Sequence, residues 1–166
     1  MSKTFLVTTF LALAPLALSS AAVAAPELKP FQEEAKADFD EAMAEPLKAA
    51  NAACGLKLTY SSEYEKFDAK VWAGTQHYSW CVPVLEEIKS ICETRPAYKK
   101  VLVKKLKSVA CLFTGVKPQE KNDGTSGFTI RNMELKDGVF VFHMTPEGQA
   151  NFNYSAKTVL EKALNE

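Results

Sequence analysis

Four cysteines, Cys54, Cys81, Cys92 and Cys111, follow an amino-terminal segment with the marks of an export signal. An even cysteine set carried into an oxidising compartment pairs into two disulfides. Two cross-links between residues 54 and 111 limit how the middle of the chain can fold more than any other feature does. The gaps of 26, 10 and 18 residues between the cysteines contain no C-x-x-C pair, the spacing that zinc sites and thiol-exchange enzymes favour. Structural disulfides are expected, with no metal and no cofactor.

The leader has a cationic start at Lys3, an apolar stretch from Phe5 to Leu18 and a small-residue exit at Ala22-Val23-Ala24. These are the three parts of a secretory signal peptide. Pro15 interrupts the apolar stretch, which falls short of the roughly 20 residues a membrane span needs. Cutting after Ala25 would put Pro26 directly beyond the scissile bond, so residues 1–24 are expected to be removed after Ala24. A periplasmic or secreted protein without a transmembrane segment follows. Taking 24 residues from 166 leaves 142, the size of a single domain over residues 25–166. Its 19 basic and 20 acidic residues give no general attraction to nucleic acid.

From Leu28 to Ala53, Phe31, Ala35, Phe39, Ala42, Met43, Leu47 and Ala50 recur at three- and four-residue steps, which predicts an amphipathic helix with Pro46 as the place for a bend. Glu33, Glu34, Asp38, Asp40, Glu41 and Glu45 occupy its other face, and Gly55 suits the C-terminal cap. Leu56, Leu58 and Tyr60 alternate with polar residues as a short strand does. Pro83 and Pro96 each suit the start of a helix. The second of these gives way near Leu106 to a strand ending around Thr114. Residues 115–127 have the composition of a mobile loop. Phe128 to Leu135 and Val139 to Met144 flank Asp137-Gly138, a strong hairpin signal. A last helix follows, with Val159, Leu160, Ala163 and Leu164 on its apolar face. The order of elements predicts an α+β domain: a small antiparallel sheet of three to four strands with a β-hairpin, packed by about four helices and held by two disulfides.

If Pro83 to Cys92 is one helix, Cys81 and Cys92 stand roughly 16 Å apart, well beyond the roughly 4.4–6.8 Å that a disulfide spans. Of the two connectivities left, an antiparallel return of the chain through the helix after Pro96 brings Cys111 to Cys81. That leaves Cys54 for Cys92. A change of direction near Leu106 would favour the other connectivity.

Cys54-Gly55 after a long helix, Cys81 and Cys92 flanking a short one, a separate Cys111 and the Leu135-Lys136-Asp137-Gly138 hairpin together resemble small four-cysteine secreted bacterial proteins of unassigned function. The resemblance spans Leu28 to Leu164. It implies export and cysteine pairing, and it brings no activity, ligand or catalytic residue.

Catalytic patterns are sparse. The imidazoles are His77 and His143, without the H-x-x-x-H or H-E-x-x-H spacing of zinc enzymes. His143 alternates with Phe140, Phe142 and Met144 and is expected to be a solvated strand residue. There is no G-x-S-x-G elbow, no phosphate-binding glycine loop and no spacing that singles out a carboxylate pair.

Two surfaces remain as candidates for binding. Trp72, His77, Tyr78 and Trp80 lie on an irregular aromatic segment that either packs as core beside a disulfide or presents rings to a partner, with His77 and Tyr78 as its exposed members. Lys99, Lys100, Lys104, Lys105 and Lys107 put five positive charges within nine residues. They either meet an anionic partner, represented here by Lys100 and Lys104, or face water and the acidic side of the first helix. A non-catalytic secreted or periplasmic module that binds a protein or an anionic envelope component is the expected function. The alternative is a small secreted hydrolase with His77 as general base.

Overall fold

The computed structural model of the chain describes residues 27–72, 76–114, 133–144 and 156–166, apart from the side chain of Tyr78. The leader and its cleavage site, and the loop expected over 115–127, lie outside these residues.

The first helix, α1 (Pro30–Cys54), begins with a proline, whose missing N–H costs nothing there. Gln32 supports this start: its Oε1 accepts from the Lys29 N–H at 3.0 Å. The helix ends where Gly55 turns left-handed at φ 71° and donates to the Asn51 carbonyl. Ala35, Phe39, Met43, Ala50 and Cys54 form the buried stripe. Phe31 is 37% exposed, since the apolar stripe narrows at the helix start.

Strand β1 (Thr59–Ser61) leads into single-turn helices at Tyr64–Lys66 and His77–Ser79, with α2 (Ala69–Trp72) between them. Two longer helices, α3 (Val82–Thr94) and α4 (Pro96–Lys105), precede β2 (Ser108–Leu112). The hairpin of β3 (Met133–Lys136) and β4 (Val139–His143) and the last helix, α5 (Ala156–Asn165), complete the described fold. Asp137 at φ 52° and Gly138 at φ 87° form the hairpin turn, both left-handed as a two-residue hairpin requires.

The α+β class holds, with five helices among the described residues where about four were expected. The sheet is mixed, not antiparallel throughout. Among the described residues its order is β1-β2-β4-β3, with β1, β2 and β4 parallel and the β3–β4 pair antiparallel. Residues 62–107 return through a layer of helices before pairing with β1, and a crossover of that kind delivers the next strand parallel. β4 then pairs with both its hairpin partner and β2.

Val109, Cys111 and Phe113 point to the same side as Phe140, Phe142 and Met144, and all are buried in one core cluster. The two cross-links join Cys54 to Cys92 and Cys81 to Cys111, with Cα separations of 5.2 and 6.3 Å. The first ties the end of α1 to α3. The second ties the residue before α3 to the centre of the sheet. Among the described residues, no helix is long and apolar enough to cross a membrane.

Candidate binding surface

Two rings of the aromatic segment, those of Trp72 and His77, are interior. Trp72 is 3% and His77 7% exposed, so neither is the surface ring that a binding role would need. The physical reason is Phe113, just past β2, which gathers Phe67, Trp72 and His77 with ring centroids 5.2, 5.2 and 5.7 Å away. Phe67 also stands 4.7 Å from the His77 ring. These separations are those of attractive aromatic pairs, and the area buried adds to their stability. The Cys81–Cys111 bond, two residues from Phe113, holds the segment against the sheet.

Trp80 is half-buried, edge-on to Trp72 at 5.6 Å. The Tyr78 side chain lies outside the described residues. A general base must reach substrate, and His77, enclosed by Phe67, Trp72 and Phe113, does not have the exposed position expected of it. His143 is half-buried, and its Nδ1 lies 3.1 Å from Thr114 Oγ1 across the ends of β4 and β2. It is therefore a paired residue and not a solvated one. Among the described residues, no three His, Cys, Asp or Glu side chains are grouped to hold a metal ion.

The lysines of α4 divide into two groups. Lys99 donates to the Ala53 carbonyl at 2.7 Å and Lys105 to the Ala163 carbonyl at 3.3 Å. Both bring positive charge to the last turn of another helix, where the backbone carbonyls and the helix dipole favour it. Lys100 and Lys104 point to solvent one turn apart, with Val103, 37% exposed, between them.

The acidic face of α1 is not their counterion. Lys36, Lys48, Lys66, Lys89 and Arg95 take the ion pairs found among the described residues, with Asp40, Glu45, Glu63, Glu93 and Glu161. Most of these pairs are local, three or four residues apart. Sequence alone could not separate the two groups of lysines, because the carbonyls that receive Lys99 and Lys105 belong to α1 and α5.

Tertiary contacts also create a polar cluster without a sequence motif. Asp40 accepts hydrogen bonds from Lys36 and from Tyr60. Burial by itself would raise the Asp40 carboxyl, but those two bonds and the Lys36 charge outweigh it and hold the group below the ordinary carboxylate range. Burial and the bond to Asp40 push the Tyr60 hydroxyl far up, and burial raises Tyr64 beside it. Asp40 is thus an ionised acceptor for two neutral or cationic donors, an arrangement that locks β1 to α1.

The chain matches no protein-family model, no curated protein and no solved structure.

Proposed function

We propose that this protein is a non-catalytic binding module of an extracytoplasmic, oxidising compartment, and that it holds an anionic envelope component or an acidic protein through the lysine face of α4. The observation that carries this reading is the exposure of Lys100 and Lys104, one turn apart and without an ion pair among the described residues. A lysine face left open in this way concentrates charge where a polyanion can reach it. Two disulfides fit such a compartment, and the leader supports export with cleavage after Ala24.

The test is capture of envelope extract from the source organism by the oxidised protein, compared with a Lys100→Gln, Lys104→Gln variant. Loss of capture in the variant, together with weakening as salt rises, supports the reading. Capture that ignores both salt and the substitutions overturns it. Material recovered from the culture should begin at Ala25, and recovery of protein that still carries Met1 would overturn the export step.

A further inference from the structure

Lys57, Lys107 and Lys136 are scattered in the sequence, yet strand pairing brings them to one end of the sheet. Lys57 stands two residues before β1, Lys107 one residue before β2, and Lys136 closes β3. Thr59 pairs with Ser108, Ser108 with Val139 and Val139 with Lys136, so these positions are level across all four strands. Lys104, in the last turn of α4, reaches the same end because the helix runs into β2 through only Leu106 and Lys107. All four lysines are exposed, and none makes an ion pair among the described residues. Asp137 in the hairpin turn and Glu166, which follows the end of α5 where Ala163 receives Lys105, are acids at this end.

The opposite end is richer in acids than in bases among the described residues. Asn51 of α1 bonds Leu58 before β1, while Gln32 bonds Phe67 beyond it, so α1 runs antiparallel to β1. Exposed Glu33, Glu34, Asp38 and Glu41 are therefore carried towards the side where β1, β2 and β4 end, near Glu65 and Asp68. Lys29, Lys36, Lys66 and Lys70 lie among these acids, which outnumber them, so within the described residues the charge is uneven between the two ends of the sheet.

Resting on the reading of α4 as the binding face, we propose that the basic end of the sheet docks on the surface of an anionic lipid bilayer. The layout of the charges selects a plane over a single extended polymer. Lys57, Lys107 and Lys136 are spread along the row of strand ends, roughly 14 Å from β1 to β3 at about 4.8 Å per strand. Lys104 adds a charge from α4, which packs on α3 and α5 outside that row. A flat layer of headgroups meets such a two-dimensional set at once, and the end richer in acids is then directed away from it. Each lysine near an anionic membrane strengthens binding about fivefold.

Flotation of the oxidised full chain with vesicles of phosphatidylglycerol and phosphatidylcholine in equal parts tests this. Binding is expected there, absent from pure phosphatidylcholine, and weakened by salt. Lys107→Gln with Lys136→Gln should lower the apparent affinity roughly thirtyfold. Lys29→Gln with Lys70→Gln, away from this end, should leave it unchanged.

Equal binding by the Lys107, Lys136 variant, or tighter capture of soluble polyphosphate than of vesicles at matched phosphate, overturns the proposal. If Lys100→Gln, Lys104→Gln abolishes capture of envelope material while the Lys107, Lys136 pair leaves vesicle binding untouched, the docking proposal fails and the function of α4 stands. If neither pair affects any capture, both fall.

Discussion

Asn51 and Leu58 are joined by two hydrogen bonds: the Asn51 side-chain amide donates to the Leu58 carbonyl at 3.1 Å, and its oxygen accepts from the Leu58 N–H at 2.6 Å. One side chain thereby satisfies both backbone groups of the buried residue that precedes β1, as a neighbouring strand would. It also fixes the path of the chain from the Gly55 cap into the sheet. Asn51→Leu, similar in size but without the amide, should cost about 2 kcal/mol or more, because it leaves a partly buried donor and acceptor without partners. Urea unfolding of the oxidised protein measures it, and a change below half that figure would show that water replaces the amide.

Glu87 of α3 accepts the Lys157 N–H at 2.6 Å and so caps the start of α5. Burial raises this carboxyl above its ordinary value of 4.5, and the backbone bond and the Lys157 charge only partly offset it. A raised carboxyl favours the folded state at acid pH and loses that contribution as pH rises through the folded value. Glu87→Gln keeps an acceptor for Lys157, so it should match the parent below pH 4.5 and gain relative stability towards neutrality. Asp40 has the opposite sign: its contribution is full above 3.8 and fades as pH falls through its depressed value. Asp40→Asn should therefore be the less stable protein at neutral pH, with the difference closing in acid. Unfolding midpoints across pH check both slopes.

Trp72→Ala should cost about 3–5 kcal/mol, the penalty for emptying a buried aromatic site, while leaving capture by the α4 lysines intact in protein that remains folded. Lys100→Gln with Lys104→Gln should do the reverse, with stability within about 0.5 kcal/mol of the parent. Thermal melts run beside the capture assay separate the two. A Trp72 variant that is stable but no longer binds would return the aromatic segment to the surface.

A methyl group at Gly138 would stand 2.9 Å from the Lys105 carbonyl oxygen and 3.0 Å from Lys107 Cδ. The backbone there is also left-handed, at φ 87°. Gly138 accepts from the Lys107 N–H at 2.7 Å, so the turn and the start of β2 are locked together. Gly138→Ala should cost about 1–3 kcal/mol through conformation alone, with the close contact adding to it. A variant as stable as the parent would mean that the turn relaxes freely.

Elements governed by near neighbours were legible in the sequence. The Gly55 cap, the prolines opening α3 and α4, the left-handed Asp137-Gly138 turn and the apolar face of α5 all depend on chemistry within a few residues. The disulfide pairing followed in the same way, because the length of α3 keeps Cys81 from Cys92 and the return of the chain through α4 brings Cys111 to Cys81.

Tertiary structure decided the rest, since alternation of apolar residues marks the buried face of a strand but not its neighbour or direction. Whether β2 would lie parallel to β1 depended on how residues 62–107 cross over, and only the three strand pairings together level Lys57, Lys107 and Lys136. Trp72 and His77 were left open between core and surface because what buries them is Phe113, a residue more than 30 positions away brought there by β2 and the Cys81–Cys111 bond. Local chemistry set the pieces and their caps, whereas contacts distant in sequence set which rings are covered and which charges stand together.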